Sequence, residues 1–227
     1  LWMERGLAEN TLAAYRSDLQ GFDAWLKRRG RHHLLEAGRA DVMGYLAARV
    51  AGGASRRTSA RLLSSLRRFY RYQIRQGAMT EDPTARVDAP KPDRPLPGAL
   101  TESDIDRLLA APDEHTPMGR RDRCMLEVLY ATGLRVSELV DLQLDEVNLR
   151  QGVVRVTGKG GRERLVPLGE QAQDALADYL EQFRGALSAR PKTRAVFITA
   201  RGTGMTRQAF WYLIRRHAVS AGIQQPL

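Results

Sequence analysis

Two stretches, A-T-G-L-R-V-S-E-L at 131–139 and V-V-R-V-T-G-K-G-G-R-E-R-L-V-P-L at 153–168, decide the fold of the second half of the chain. Gly133 is typical of the left-handed residue that follows a helix, so a new helix is predicted to begin near Arg135. The runs V-V-R-V and R-L-V-P-L read as strands, and the glycine-rich T-G-K-G-G between them predicts a β-hairpin with Lys159 at its tip. Together the two stretches predict helices combined with a small sheet.

Arg135 and Lys159 are cations delivered by different elements, which suggests a phosphodiester ligand. Arg135 is predicted in the first turn of its helix, where the helix dipole disfavours a cation unless a phosphate is bound. Glu138 offers a competing explanation, a purely structural intrahelical ion pair, and spacing alone leaves the two open. Lys159 could protonate a leaving oxygen, although the hairpin alone favours a solubilising loop lysine.

A proline-rich segment, A-P-K-P-D-R-P-L-P-G at 89–98, divides the chain. Such a segment suits neither a helix nor a central strand and predicts an extended linker. We therefore predict a helical domain at 1–88, a linker at 89–100 and a mixed domain at 101–227.

The first domain is predicted to be all-helical. Its apolar residues recur at helical spacing. Helices are expected from a cap at Asn10 or Thr11 to about Arg28, over about 40–50 and over about 55–76, with another short element opening at Asp82-Pro83.

The second domain is predicted to combine helices with the hairpin, so that the whole chain is mainly α with a small β-sheet. Thr101 and Asp104 have the spacing of a capping box, in its acidic variant. Helices are then expected after this box, over about 121–132, 135–142, 170–183 and 206–221, and a short strand at Val196–Ile198.

The charge of the chain points to an anionic partner. The net charge is +10 and the pI is near 10.3, which is typical of proteins that bind nucleic acid. Residues 1–88 hold 16 Lys or Arg against 9 Asp or Glu, a net charge of +7, whereas residues 101–227 hold 18 against 16, a net charge of +2. The positive charge is therefore concentrated in the first domain.

One predicted helix carries most of this charge on one face. Between Ser55 and Arg75 there are seven arginines and no acidic residue. At about 100° per residue, five of them fall within an arc of about 80°, opposite an apolar face. These five, named here the arginine face, are Arg57, Arg61, Arg68, Arg71 and Arg75. A solvated surface is the common fate of such a face, but repulsion between like charges at i,i+4 favours contact with a DNA or RNA backbone.

Several classes of function are excluded by composition. Four histidines, His32, His33, His115 and His217, lack metal-ligand spacing, so no metal site is predicted. The single Cys124 lies in an apolar helical stretch and is expected to be a buried thiol in a reducing cytosol. No apolar run approaches the roughly 18 residues of a membrane span.

Five stretches resemble one known family. L-A-E-N-T-L-A-A-Y-R-S-D-L at 7–19, S-A-R-L-L-S-S-L-R-R-F-Y at 59–70, M-T-R-Q-A-F-W at 205–211 and the two stretches quoted first are similar to the tyrosine site-specific recombinases of the phage integrase family, Xer group. The resemblance covers essentially the whole chain.

The resemblance implies a fold and a chemistry. It implies an all-helical core-binding domain and a mixed α/β catalytic domain that together enclose duplex DNA. A tyrosine would attack the scissile phosphate to form a 3′-phosphotyrosyl link, with no metal or nucleotide cofactor. By motif position, Arg135 would be the first catalytic arginine, Lys159 the general acid, and Arg207 and Gln208 the DNA-facing start of the last helix.

The resemblance also implies partners and a place of action. The expected partners are a double-stranded DNA recombination site, a related XerC-like recombinase in a heterotetramer, and a septal DNA translocase as activator, with no membrane. The reaction would resolve chromosome or plasmid dimers in the cytoplasm.

The family's remaining motifs are expected after A-V-S-A-G-I at 218–223. These are a His-x-x-Arg motif, a later His or Trp, and the nucleophilic tyrosine; Tyr212 precedes them and is not nominated. We therefore expect the chain as given, truncated before these motifs, to bind DNA without cleaving it. The alternatives are a non-catalytic DNA-binding clamp or regulator and, more distantly, a type IB topoisomerase.

Overall fold

The contacts in a computed structural model divide the chain into two units, Leu1–Leu96 and Pro97–Leu227. The structure describes residues 9–31, 33–89, 99–158, 161–188 and 191–225. Two features predicted from the sequence, the proline-rich segment at 90–98 and the tip residue Lys159, lie outside the described residues.

The described part of the first unit contains three helices, as the sequence predicts. They are α1 (Glu9–Lys27), α2 (Arg39–Ala51) and α3 (Arg56–Arg75), with a 3-10 turn at Leu34–Glu36. The hydroxyl of Ser55 accepts a hydrogen bond from the amide of Thr58 and so begins α3, because the first amides of a helix have no intrahelical partner. The apolar sides of the helices meet in a core that includes Phe22, Leu63 and Tyr70, all 0% exposed.

One detail of the first unit differs from the sequence prediction. Asn10 and Thr11, expected to cap α1, lie inside it, because α1 spans Glu9–Lys27. The short element expected to open at Asp82-Pro83 is a turn over residues 83–86. The Asp82 carboxylate explains the turn, since its Oδ1 accepts hydrogen bonds from the amide and the hydroxyl of Thr84, an arrangement that competes with helix formation.

Helices make up most of the second unit. They are α4 (Glu102–Ala110), α5 (Pro117–Thr132), α6 (Val136–Asp141), α7 (Glu170–Asp178), α8 (Arg184–Leu187) and α9 (Arg207–Ser220), with a π-helical turn, Tyr179–Phe183, between α7 and α8. The capping box of Thr101 and Asp104 is confirmed. The prediction that Gly133 is the left-handed residue ending α5 is also confirmed, since its φ is 59°.

A three-stranded antiparallel sheet completes the second unit. Its strands are β1 (Val147–Asn148), β2 (Val153–Thr157) and β3 (Glu163–Pro167), in that order. The predicted hairpin is confirmed: β2 pairs with β3 so that Val154 faces Val166 and Val156 faces Arg164. Val154 and Val156 are buried, so this face of the hairpin lies against the core.

The predicted strand at Val196–Ile198 is wrong. Only isolated bridges occur there, between Gln143 and Ala195 and between Ile198 and Gly204. Val196 and Ile198 are nevertheless 0% exposed, because the apolar run is buried in the core without a ladder of strand hydrogen bonds. Short apolar runs of this kind do not distinguish a strand from buried irregular chain.

Among the described residues, no helix is both long enough and apolar enough to cross a lipid bilayer.

Candidate functional site

Arg135 lies immediately before α6, at its N-cap, with φ −67° and ψ 149°. The sequence predicted it in the first turn, one position further on. The difference arises because α6 starts only at Val136, after the left-handed Gly133 and the buried Leu134 have turned the chain. The Arg135 side chain is 68% exposed, so its guanidinium reaches solvent from the start of the helix.

Glu138 holds Arg135 from the protein side. Its side chain is only 5% exposed. Its Oε2 accepts the backbone amide of Arg135 at 2.8 Å, and its Oε1 accepts Nη1 of Arg135 at 3.0 Å. The structural ion pair considered from the sequence is therefore present, yet most of the guanidinium remains accessible to a further ligand.

Arg164 completes the partners of this carboxylate. Its Nη1 donates to Oε1 of Glu138 at 2.9 Å, and its Nη2 donates to Oε2 at 2.9 Å. Each oxygen thus accepts two N–H donors, which fills the lone pairs that a carboxylate offers. The hydrogen bonds from Arg164, above all, lower the pKa of Glu138 to about 2, with further contributions from the backbone and side chain of Arg135. Two guanidinium groups around one carboxylate leave a net positive charge facing solvent.

The hairpin places Arg164 beside the turn that contains Lys159. Lys159 itself is outside the described residues, but its neighbour Gly158 donates its amide hydrogen to the carbonyl of Arg162 at 2.7 Å. A Cβ atom at Gly158 would lie 3.3 Å from Nη1 of Arg164. The base of the turn therefore lies close to the guanidinium that Glu138 binds.

Arg207 and Gln208 begin α9 and are both exposed. The hydroxyl of Thr206 accepts the amide of Ala209 and caps the helix. Trp211 and Tyr212, in the next turn, are 44% and 58% exposed. The start of α9 thus presents a cation, an amide and two aromatic rings to solvent.

The arginine face of α3 is present, but its members differ in their partners. Arg61 forms two hydrogen bonds with the buried Asp18 of α1, at 2.6 and 2.8 Å. The hydroxyl of Ser65 donates to the same carboxylate. Arg61 therefore neutralises an internal acid and joins two helices, which makes it a structural residue of this face.

The other four arginines are less constrained. Arg68 donates to the hydroxyl of Tyr15 at 3.3 Å, and Arg71 is 4.0 Å from Asp82 while 70% exposed. Within the part of the chain that the structure describes, neither Arg57 nor Arg75 forms a side-chain hydrogen bond or ion pair. These two, with Arg71, are the members of the arginine face best placed to contact an external anion.

No metal-binding cluster of His, Cys, Asp or Glu occurs among the described residues. His217 is buried, and its Nε2 lies 2.9 Å from Oδ2 of Asp122, so it belongs to an internal polar network. Cys124 is 1% exposed as predicted, and burial raises the pKa of its thiol.

Comparison with known proteins assigns both units to one family. Residues 99–227 match the Phage integrase family, and residues 1–77 match the Phage integrase, N-terminal SAM-like domain. The chain belongs to the phage integrase family. The family predicted from the sequence, and a mainly helical fold with a small sheet, are thereby confirmed.

Closer relatives narrow this assignment. The tyrosine recombinase XerD of Pseudomonas aeruginosa is 54% identical over 98% of this chain and 74% of its own length. The tyrosine recombinase XerD of Shewanella oneidensis is 50% identical over 100% of this chain and 75% of its own length. Within the family, the chain is a site-specific recombinase of the XerD type. A solved lambda integrase tetramer bound to a Holliday junction shares the fold, with a TM-score of 0.70, 19% identity, and coverage of 97% of this chain and 60% of its own.

Sequence reasoning missed two features of these sites, Arg164 and Asp18. Arg164 could have been found from the alternation of β3, since Arg164, Val166 and Leu168 share one face and the other two are apolar. An arginine on the side of the hairpin that carries Val154 and Val156 suggests a charged partner nearby, and Arg164, which is 42% exposed, has one in Glu138. Asp18 gave no comparable signal, because its partner lies 43 residues away.

Proposed function

We propose that this protein cuts and rejoins double-stranded DNA at a recombination site through a 3′-phosphotyrosyl intermediate, with Arg135 and Lys159 acting on the scissile phosphate. The observation that supports it is the exposed guanidinium of Arg135, held by the buried Glu138. A cation fixed in this way can bind a phosphate oxygen without first reorganising. No metal or nucleotide enters the proposed reaction.

The chemistry is a transesterification. The hydroxyl oxygen of the nucleophilic tyrosine, the residue for which tyrosine recombinases are named, bonds to phosphorus while the bond to the 5′-oxygen breaks. Charge builds on the non-bridging oxygens in the transition state, where Arg135 would donate hydrogen bonds to them. Lys159 would supply the proton that the leaving 5′-oxygen takes up, and the phenolic proton passes to solvent. The phosphodiester energy is kept in the protein–DNA link and used for rejoining.

The remaining contacts would position the duplex. On α3, Arg57, Arg68, Arg71 and Arg75 would contact backbone phosphates, while Arg61 would contribute mainly through Asp18. On α9, Arg207 and Gln208 would contact DNA at the capped start of the helix. Phosphate contacts of this kind fix register and dominate affinity.

A biological setting for this reaction is part of the proposal. We propose that a related, XerC-like recombinase completes a heterotetramer, that a septal DNA translocase activates it, and that the reaction resolves chromosome or plasmid dimers in the cytoplasm. The tetramer of lambda integrase on a Holliday junction supports an assembly of four protomers.

Adduct formation tests the proposed reaction directly. The full-length gene product is incubated with a nicked recombination site, from which the cleaved strand diffuses away so that religation is prevented. A covalent protein–DNA adduct that survives denaturation is expected, and it should form about 100-fold more slowly, or slower still, in Arg135→Ala. Intact enzyme that binds the site but never gives an adduct would instead favour a non-catalytic DNA-binding clamp, and relaxation of supercoils without site preference would favour a type IB topoisomerase.

Salt dependence tests the arginine face separately. The slope of log K against log salt concentration becomes shallower by about 0.9 for each DNA phosphate that the protein ceases to neutralise. We expect the double variant R57A/R75A to lower affinity and to flatten this slope by about 1.8. The matched control is R61Q/D18N, which removes an internal pair without changing net charge and should leave the slope close to that of the parent. Equal slopes for all three proteins would remove Arg57 and Arg75 from the interface.

A further inference from the structure

Glu138 joins two arginines that come from different elements of the second unit. Arg135 precedes α6 and Arg164 lies in β3, 26 residues from Glu138. Both Nη1 atoms donate to the same oxygen, at 3.0 and 2.9 Å, so the two nitrogens lie within about 6 Å of each other. Arg164 also occupies the second oxygen with its Nη2. Glu138 therefore takes one N–H from the side chain of Arg135 and two from that of Arg164.

The contacts of Arg164 continue to the turn. A Cβ atom placed on Gly158 would lie 3.3 Å from Nη1 of Arg164. The same Cβ atom would lie 3.5 Å from the carbonyl oxygen of Arg162. Gly158 directly precedes Lys159 in the chain. One planar group thus binds the carboxylate that holds Arg135 and lies near the residue that precedes Lys159.

The location of Arg164 argues against a role as a solubilising surface charge. It pairs with the buried Val156 across the hairpin and shares its face. An arginine on that face, with both of its terminal nitrogens on a carboxylate that is 5% exposed, is fixed in orientation. A bidentate guanidinium resists rotation in a way that a single lysine contact does not.

We propose that Arg164 is a positioning residue for DNA cleavage: through Glu138 and Gly158 it fixes the Lys159 turn relative to Arg135. The inference rests on the proposed function of Lys159 and Arg135. In the cleavage step the tyrosine oxygen bonds to phosphorus, the bond from phosphorus to the 5′-oxygen breaks, and that oxygen receives the proton of Lys159. Arg164 touches none of the reacting atoms; it keeps the donor of that proton within reach of the phosphate bound by Arg135.

A sulfur substitution separates this role from general structural damage. A 5′-bridging sulfur leaves as a thiolate, a much weaker base than an alkoxide, and so leaves without a proton. In the full-length gene product, R164Q is expected to slow cleavage of the oxygen substrate by about 10- to 100-fold, the scale of a misplaced catalytic group. With the sulfur substrate, most of the defect of R164Q should disappear, and so should most of the defect of K159A. R135A should remain slow on both substrates.

Matched variants distinguish a loss of positioning from a loss of folding. R155Q removes an arginine from the same hairpin, where its partner is Glu163 at 3.6 Å, and should cleave both substrates at the parental rate. Gly158→Ala keeps all the charges but crowds Arg164, and should reproduce the sulfur-rescued defect of R164Q in milder form. Thermal unfolding and DNA affinity are measured for each variant.

Two results would overturn the inference while leaving the proposed function intact. In the first, the sulfur substrate rescues K159A, but R164Q and Gly158→Ala are as slow on the sulfur substrate as on the oxygen substrate. The other is full activity of R164Q on the oxygen substrate. Failure of sulfur to rescue K159A would instead reject Lys159 as the acid, and the positioning role of Arg164 with it.

Discussion

Replacement of Glu138 by glutamine tests the electrostatic centre of the site without any need for catalysis. The pKa of this carboxyl group falls from 4.5 to about 2 in the folded protein. A shift of this size corresponds to about 3 kcal/mol of stability. Since the folded pKa is the lower one, that stability is fully present above pH 4.5 and is lost as the pH falls towards 2. Glutamine carries no charge, and its amide NH2 group would face the N–H donors of the two guanidinium groups in place of an acceptor oxygen.

We therefore expect E138Q to lower the free energy of unfolding of the second unit by about 3 kcal/mol at pH 7. The difference from the parent should shrink to less than half at pH 3. Denaturant titration read by peptide-resolved hydrogen exchange over α6, β2 and β3 follows this unit separately.

The control for this experiment is E163Q, on the same hairpin. Glu163 is 58% exposed and 3.6 Å from Arg155, so its replacement should change stability by less than about 0.5 kcal/mol. A destabilisation of E138Q no greater than that of E163Q, or one that stays constant from pH 7 to pH 3, would refute the assignment of Glu138 as the charged anchor of both arginines.

Two further predictions concern the rest of the chain. Asp18→Asn should destabilise the first unit by about 2 kcal/mol, because it weakens a buried acceptor of three hydrogen bonds from Arg61 and Ser65. Hydrogen exchange over α1 and α3 measures this loss of stability, and an unchanged exchange pattern would contradict the prediction. The thiol of Cys124, 1% exposed and with its pKa raised by burial, should react with a thiol reagent only when the second unit unfolds, so rapid labelling of the native protein would contradict its burial.

Signals carried by neighbouring residues could be predicted from the sequence. The capping box of Thr101 and Asp104 and the helix end at Gly133 each depend on contacts within four residues. The hairpin follows from alternation and glycine content. Such features have a fixed geometry once the local chain is known, so residue type and spacing suffice to predict them.

Contacts between distant residues could not be predicted in the same way. The spacing of Arg135 and Glu138 suggested two interpretations, and the structure contains the ion pair while leaving the guanidinium exposed. What decides the arrangement is Arg164, whose partner is set by the register of the hairpin and by the packing of α6. The arginine face is a similar case: five residues share an arc on the helical wheel, but only the position of α1 assigns Arg61 to Asp18.

The most direct test of the role proposed for Arg135 compares two scissile groups. In a methylphosphonate diester a neutral methyl group replaces one charged non-bridging oxygen. With the full-length gene product, we predict that Arg135→Ala slows cleavage of the natural phosphodiester by about 100-fold or more, and that it slows cleavage of the methylphosphonate far less, because the charge that Arg135 stabilises is absent. An equal reduction in rate on both substrates would contradict that role for Arg135.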